Sequence, residues 1–214
     1  MVKIFFSRLR EYPEEDKFLQ LLSTIPKKFH PKILAYKQRE DRMLRLMGKL
    51  LLIESFNQLG IESDTLMNHY LENVDGKPSV NLPFYFNLSY SKGIAVCVVS
   101  DEGKVGIDIE YITPISDINL YKDYFSDKEW QGIMGDKMSP LLFYEYWTRK
   151  EALLKAAGKG LKDDLSTIEV INDEVIVYNI KYNINSVNIA ADYICNVANS
   201  GEKSAFELME INLC

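Results

Sequence analysis

The stretch from 141 to 161, L-L-F-Y-E-Y-W-T-R-K-E-A-L-L-K-A-A-G-K-G-L, constrains the fold of this chain more than any other. Its apolar side chains recur at helical spacing, which predicts an amphipathic helix with one buried side: Phe143, Trp147, Leu153, Leu154 and Ala157. Good helix formers fill the second half, and we expect Gly158 and Gly160 to end the helix.

A row of functional side chains follows the same predicted helix. Residues four apart lie on one face, so Trp147, Glu151 and Lys155 stack in a row and Lys150 flanks it. A carboxylate and two ammonium groups in one place are suited to phosphate chemistry. The simpler alternative is a surface Glu151–Lys155 pair, which adds about 0.3–0.5 kcal/mol to helix stability. The helix alone leaves both interpretations open.

Length and charge limit the classes of protein to consider. A chain of 214 residues is long enough for one large domain or two small ones. The net charge of −6 argues against a general nucleic-acid binder, because nothing neutralises a phosphate backbone along its length. No run approaches the roughly 18–20 apolar residues of a membrane span, and the N-terminal segment turns acidic too early for a signal peptide. We therefore expect a cytoplasmic protein with no nucleic-acid or membrane partner.

The cysteines and histidines restrict the chemistry further. Two of the three cysteines, Cys97 and Cys195, lie in apolar runs, as expected for reduced core residues. His30 and His69 are the only histidines in the sequence, which argues against a histidine-ligated metal and against Ser-His or Cys-His catalysis. Any metal would be a hard cation with oxygen ligands.

Two β-prone segments, 94–99 and 105–111, flank the turn at 101–104 and predict a β-hairpin. Alternation puts Asp108 and Glu110 on one face of the second strand, about 7 Å apart at Cα, close enough to bind one divalent ion. Gly106 beside them would leave room for a ligand. An exposed edge strand is the alternative explanation of these two carboxylates.

The remaining segments predict a mixture of helices and strands. We expect a strand at 2–6, helices at 14–24, 33–59 and 115–134, a hairpin from 166–171 and 174–180, and strands at 188–198 and 204–211. The last two strands echo the segment from 94 to 111, which suggests an internal duplication. Between 27 and 49 lies a cluster of eight lysines and arginines, which indicates either an anion-binding patch or a solvated, ion-paired face.

Four motifs follow the basic cluster: G-K-P at 76–78, N-L-S-Y-S at 87–91, V-G-I-D-I-E at 105–110 and W-T-R-K-E-A-L-L-K-A-A-G-K-G at 147–160. In order and spacing they resemble the 4′-phosphopantetheinyl transferases, specifically the larger type that activates peptide and polyketide synthases. The resemblance runs from about Pro26 to Leu161 and is weaker beyond. It implies Mg²⁺-dependent transfer of the 4′-phosphopantetheine arm of coenzyme A to a serine of an apo acyl or peptidyl carrier protein, with release of adenosine 3′,5′-bisphosphate.

The resemblance also implies roles for residues of the last two motifs. Asp108, Glu110 and Glu151 would be the oxygen ligands of Mg²⁺, with Mn²⁺ as the other candidate ion. Lys155 would stabilise or protonate the oxygen that bridges the two phosphates, and Lys150 would be a second cation near them.

Either Glu129 or Glu151 would accept the proton of the carrier serine. The candidates for binding coenzyme A are Lys28, Lys32, Lys37, Arg39, Arg45, Lys77, Ser89, Tyr90 and Lys155.

The chain departs from the family pattern at two positions. The family most often has N-(I/L)-S-H-S, whereas this chain has Tyr90, which brings no positive charge near neutral pH. The arginine expected three residues after Glu-Asp is replaced by Leu44, which Arg42 and Arg45 flank at a distance of one or two residues. Arg45 and Lys92 are the candidates to compensate for the missing charge.

The fold implied by the resemblance is α+β, with two similar units related by a pseudo-two-fold axis, each a small antiparallel sheet packed with a long helix. We expect the units at 1–112 and 113–214, with coenzyme A in the cleft between them. A monomer would then suffice, because one chain supplies both sides of the site. A Mg²⁺-dependent phosphoesterase and a non-catalytic module that binds coenzyme A or a carrier protein are the alternatives.

Overall fold

A computed structural model of the chain describes residues 1–73, 76–135, 140–158, 165–202 and 205–213. Within these ranges no helix combines the length and the hydrophobicity needed to cross a membrane. The helices are α1 (Glu15–Ser23), α2 (His30–Leu34), α3 (Arg39–Asn57), α4 (Ser63–His69), α5 (Asp127–Gly135) and α6 (Pro140–Ala157). Short 3₁₀ segments lie at Lys27–Phe29, Ile118–Tyr124 and Leu165–Thr167.

The strands are β1 (Val2–Arg8), β2 (Tyr70–Glu72), β3 (Pro78–Val80), β4 (Tyr85–Ser91), β5 (Ile94–Ser100), β6 (Val105–Tyr111), β7 (Glu174–Val177), β8 (Ile180–Ser186), β9 (Tyr193–Asn199) and β10 (Phe206–Glu210). In the described part of the chain they form one sheet in the order β10-β1-β5-β4, a second in the order β6-β9-β8-β7, and the ribbon β2-β3. Helix α3 packs on the first sheet and α6 on the second. The α+β prediction is confirmed.

Strand β5 shows why the first sheet forms in the interior of the protein. All seven of its residues are buried. Ala95, Cys97 and Val99 face the core under α3, whereas the alternate residues of β5 face a second core shared with β6 and β9. A strand buried on both faces is expected to be apolar throughout, as the run I-A-V-C-V-V is.

Both predicted hairpins are wrong. Strand β5 pairs with β1 and β4 on its two edges, so the loop at 101–104 carries the chain to the other sheet, where β6 pairs with β9. The later hairpin joins β7 to β8 and turns at Tyr178 and Asn179, which have φ of 53° and 60°. Two consecutive positive φ angles are typical of a type I′ turn, and this turn replaces the one predicted at 172–173.

Strand β10 does not pair with β9, which precedes it in the chain, but runs parallel to β1, with Val2 opposite Phe206. The first sheet therefore contains a strand from the predicted C-terminal unit, and the second contains β6 from the predicted N-terminal unit. The division at 112 and 113 stays a prediction, and it does not coincide with the membership of the two sheets.

Helix α6 begins at Pro140 and ends at Ala157, as the sequence pattern predicts. Gly158 follows it with a φ of 77°, a left-handed conformation that glycine adopts without strain. One part of this prediction, Gly160 at the helix end, lies outside the described residues.

Gly106 allows α6 to lie directly on β6. A Cβ atom at this position would be 2.2 Å from the carbonyl oxygen of Ala152 and 2.4 Å from the amide nitrogen of Ala156. The space predicted for a ligand beside Gly106 is therefore occupied by the backbone of the helix.

The two large sheets meet where β4 lies beside β6. Their contact is made by side chains: Asn87, Ser89 and Ser91 of β4 accept hydrogen bonds from the amides of Ile107, Ile109 and Tyr111 of β6, at 3.1, 3.4 and 2.9 Å. Polar side chains at alternate positions of β4 thus accept hydrogen bonds from amides of β6 that pair with no other strand in the described part of the chain. The motif N-L-S-Y-S joins the sheets in addition to any role toward a ligand.

We predict that Gly106→Ala destabilises the protein by at least about 1–3 kcal/mol, because two backbones must separate to admit the methyl group. Urea unfolding measures the change. Gly135→Ala is the matched control, since a Cβ there would meet nothing within 4 Å. Equal unfolding midpoints for the two variants would contradict this account of the helix–strand contact.

Candidate active site

Asp108 and Lys155 form the centre of the candidate site. Asp108 Oδ1 lies 2.5 Å from Lys155 Nζ and accepts a hydrogen bond from Ser89 Oγ at 2.8 Å. Lys155 Nζ also donates to Ser89 Oγ and to the carbonyl oxygen of Ile107, both at 3.2 Å. Lys77 Nζ donates to the carbonyl oxygen of Lys155 at 2.7 Å. Residues of β4, β6, α6 and the segment before β3 therefore converge.

The ion pair is enclosed on one side and accessible on the other. The side chain of Asp108 is 5% exposed, whereas that of Lys155 is 27% exposed. Burial lowers the pKa of the neighbouring Lys77, and the positive charge of Lys104 lowers it further. Positive groups with restricted hydration and partial access are suited to binding an anion.

Glu110 and Glu151 complete a group of three carboxylates around Lys155. Burial, together with the negative charges of Asp108 and Glu151, raises the pKa of Glu110 to about 7, while a 3.2 Å hydrogen bond from Ser91 Oγ opposes the shift. Burial also raises the pKa of Glu151, where Lys155 opposes and Asp108 adds to the effect. The three carboxylates are therefore close enough to repel one another.

Two observations bear on whether the three carboxylates could bind a divalent ion: the chemical type of the ligands and the surroundings of one buried oxygen atom of Asp108. As the side chains lie, no three acidic, histidine or cysteine residues in the described ranges are close enough together to hold a metal ion. However, Asp108 Oδ2 is buried and has no hydrogen-bond partner, and Asp108 Oδ1 has Lys155 as its cationic partner. A hard cation would satisfy that oxygen, and three carboxylates are the ligand type that Mg²⁺ prefers. The chemistry of these three side chains therefore fits Mg²⁺, which would have to draw them closer together.

Glu129 and Lys150, the predicted proton acceptor and second phosphate cation, are enclosed in the protein. Lys150 Nζ lies 2.8 Å from Glu129 Oε2, and the two side chains are 1% and 0% exposed. Further hydrogen bonds join the pair to main-chain groups of Ser126, Leu165, Ile168 and Val170. Because the pair is enclosed, substrate cannot reach Glu129 or Lys150. Glu151 and Lys155 remain as the catalytic candidates.

The residues predicted to bind coenzyme A fall into three groups. Lys77, Ser89 and Lys155 lie at the Asp108 site described above. Lys32, Arg45 and Tyr90 line a separate cavity of about 200 Å³ between α2, α3 and strands β2 to β4. Lys28 and Arg39 are not among the lining residues; they donate to the carbonyl oxygens of Met67 and Pro13. Lys37 is not a lining residue either, so the structure brings two of the five basic candidates from 28 to 45 to one cavity.

Tyr36, Lys49 and Tyr70 also line this cavity. The sequence pattern gave the two tyrosines no role, and it included Lys49 only as a member of the basic cluster between 27 and 49. Lys49 follows Arg45 by four residues on α3, so the two lie on the same face of the helix. That spacing was available in the sequence and could have identified Lys49. Tyr70, in contrast, comes from β2, and only the tertiary structure brings it there.

Comparisons of the sequence with known proteins point to one family. Residues 104–198 match the family model of the 4′-phosphopantetheinyl transferase superfamily, and this match spans β6 and α6. The 4′-phosphopantetheinyl transferase gsp of Aneurinibacillus migulanus is 31% identical over 164 residues, which cover 75% of this chain and 68% of that protein. The 4′-phosphopantetheinyl transferase Sfp of Bacillus subtilis is 30% identical over 171 residues, or 78% of this chain and 74% of that protein. HetI, the 4′-phosphopantetheinyl transferase of a Nostoc strain, is 37% identical over 120 residues, which cover 52% of this chain and 49% of that protein.

We predict that Lys150→Met destabilises the protein by about 3–5 kcal/mol, because it leaves the carboxylate of Glu129 buried without its partner. Thermal or urea unfolding tests this. Lys128→Met is the matched control: Lys128 pairs with Glu169 but is 74% exposed, so its loss should change stability by at most about 1 kcal/mol. A Lys150→Met protein with ordinary stability would contradict the structural role of this lysine.

Proposed function

This chain belongs to the 4′-phosphopantetheinyl transferase superfamily, and on that premise we propose that it transfers the 4′-phosphopantetheine arm of coenzyme A to a serine of an apo carrier protein. The observation that carries the proposal is the Asp108–Lys155 pair, which has a partly accessible ammonium group next to two further carboxylates. A protein that only binds coenzyme A has no need of this combination.

In the proposed reaction, the hydroxyl oxygen of the carrier serine attacks the β-phosphorus of coenzyme A. The bond from that phosphorus to the bridging oxygen breaks, and the oxygen leaves with adenosine 3′,5′-bisphosphate. Negative charge therefore develops on the bridging oxygen. We assign Lys155 to that oxygen, because its ammonium group can stabilise the charge or donate a proton.

The proton of the attacking serine needs an acceptor. Glu151 lies one helical turn before Lys155 on the same face of α6, and it is only partly buried, whereas Glu129 is 0% exposed. We therefore propose Glu151 as the acceptor, directly or through a water molecule.

Asp108, Glu110 and Glu151 are the residues that would hold Mg²⁺, or Mn²⁺ in its place. The ion would supply positive charge to the pyrophosphate as the leaving group departs. The unpartnered Asp108 Oδ2 atom and the mutual repulsion of the carboxylates support this assignment.

We further propose that the protein acts as a cytoplasmic monomer on acyl or peptidyl carrier proteins. One chain supplies residues from β4, β6 and α6 to the site, so a second copy is not required. The buried free thiols of Cys97 and Cys195 fit a reducing compartment. Because the net charge is −6, a carrier protein of acidic character would bind through a local surface and not through overall attraction.

The transferase proposal predicts a defined change in carrier mass. Apo carrier proteins incubated with the protein, coenzyme A and Mg²⁺ should each gain the mass of one phosphopantetheine arm by intact-mass analysis. EDTA should abolish the gain, and excess Mg²⁺ should restore it. Consumption of coenzyme A without any carrier gain would indicate a phosphoesterase, and binding without consumption would indicate a non-catalytic module.

Variants at the site should separate chemistry from folding. We predict that Asp108→Ala and Glu151→Ala abolish transfer while the protein stays folded, and that Lys155→Met slows transfer by a factor of about 10² to 10³. Asp64→Asn, which removes an exposed carboxylate from α4, is the control and should transfer at the normal rate. Circular dichroism would report folding. Unchanged transfer by both alanine variants would exclude the proposed metal ligands.

A further inference from the structure

The cavity between α3 and the β2–β3 ribbon contains more positive charge than its acidic residue can balance. Lys32 is paired with Glu72 at 3.2 Å. Within the described part of the chain, neither Arg45 nor Lys49 forms an ion pair with a carboxylate, although both line the cavity. A recess with two unpaired cations is a site for an anion.

Arg45 is held between two aromatic rings. Its guanidinium carbon lies 5.1 Å from the ring centre of Tyr36 and 4.8 Å from that of Tyr90. The ring of Tyr90 lies against Gly48, where a Cβ atom would be only 2.2–2.6 Å from ring atoms. Tyr90 is therefore a stacking surface for Arg45, and the planar guanidinium keeps its edge, which carries the N–H groups, for a ligand.

Lys49 is held in a similar way but is less well hydrated. Its Nζ atom lies 4.5 Å from the ring centre of Phe29 and 4.8 Å from that of Tyr70, and it donates a hydrogen bond to the Tyr70 hydroxyl at 2.7 Å. That hydroxyl in turn donates to Glu72 Oε1 at 2.9 Å. Lys49 thus contacts the carboxylate only through an intervening hydroxyl, and two of its three N–H groups are left for another acceptor.

The electrostatic surroundings of Lys49 favour an incoming anion. Burial lowers the pKa of Lys49 to about 8, and nearby cations lower it further against the opposing charge of Glu72. The charged groups that face it are Lys28, Lys32, Arg45 and Glu72, with the hydroxyls of Tyr70 and Tyr90 nearby. A phosphate dianion in the cavity would favour the charged form of Lys49 and would therefore raise this pKa.

We propose that Lys49 is a specificity-determining residue that, together with Arg45, binds the 3′-phosphate of coenzyme A. The inference rests on the proposed function for the identity of the ligand. In the family pattern a histidine at position 90 and an arginine at position 44 bring charge, whereas here Tyr90 and Leu44 occupy these positions. Arg45 and Lys49 supply the charge from α3 instead, and Tyr90 orients Arg45.

Binding of coenzyme A and of 3′-dephospho-coenzyme A, measured by calorimetry in the same Mg²⁺ buffer, tests this directly. The unmodified protein should prefer coenzyme A. Lys49→Met should weaken coenzyme A binding by about tenfold to a hundredfold and leave 3′-dephospho-coenzyme A binding unchanged. Lys17→Met, which removes an exposed lysine from α1, is the matched control and should keep the full preference. Equal weakening of both ligands, or of neither, overturns the proposal.

Proton uptake provides a second readout that does not depend on activity. Burial lowers the pKa of Lys49 to about 8, so binding of the 3′-phosphate at pH 8 should raise this pKa and take up a fraction of a proton. Calorimetry in two buffers of different ionisation enthalpy measures it. Lys49→Arg should retain coenzyme A binding and lose the uptake, because arginine is always charged. Unchanged uptake in Lys49→Arg would contradict the assignment, and this variant serves if Lys49→Met does not fold.

The two proposals fail in different ways. If the protein modifies carriers but does not discriminate coenzyme A from 3′-dephospho-coenzyme A, the transferase proposal stands and the role of Lys49 is wrong. If it binds coenzyme A with a preference that Lys49→Met removes but modifies no carrier, the phosphate site stands and the transferase proposal is wrong.

Discussion

The candidate active site depends on how closely helix α6 lies on strand β6. Only a glycine at 106 lets the backbone around Ala152 approach the strand, since any side chain would meet the carbonyl oxygen of the helix. Asp108 lies two residues after Gly106, on the same face of β6. Lys155 lies about one helical turn after Ala152 on α6. The close approach therefore brings the carboxylate and the ammonium group to 2.5 Å. A side chain at position 106 would push α6 away from β6 and would separate the Asp108 carboxylate from the Lys155 ammonium group.

Helix α6 carries two lysine–carboxylate pairs, and their accessibility distinguishes their roles. The Lys150–Glu129 pair is almost completely excluded from solvent and saturated with main-chain hydrogen bonds, so it fixes α5 and the segment at 165–170 to the helix. In the other pair, Lys155 keeps access to solvent and Asp108 keeps a buried oxygen without a partner. The first pair is too enclosed for a ligand to reach it, whereas the second has capacity for both an anion and a cation.

Local patterns predicted the elements of this fold better than their pairing. The spacing of Phe143, Trp147 and Leu154 was enough to predict α6, because helical periodicity is a property of neighbouring residues. The pairing of β10 with β1 joins residues about two hundred positions apart, and no turn between consecutive strands indicates it. The same distinction between local pattern and tertiary packing applies to the candidate site. The motif V-G-I-D-I-E was enough to identify two of its carboxylates. The enclosure of Glu129 and the position of Lys49 in the cavity depend on tertiary packing.

Strand β4 connects the two parts of the proposed binding site. Adjacent residues of a strand point to opposite faces, so Ser89 reaches Asp108 and Lys155 while Tyr90 reaches Arg45 on α3. The proposed reaction centre and the phosphate cavity are thus positioned by consecutive residues of one strand. Coenzyme A carries its pyrophosphate and its 3′-phosphate on one ribose, so a rigid spacing between two cationic sites selects for that pair of groups. The fixed geometry of a single strand, and not the mobility of a loop, would then determine which nucleotide is bound.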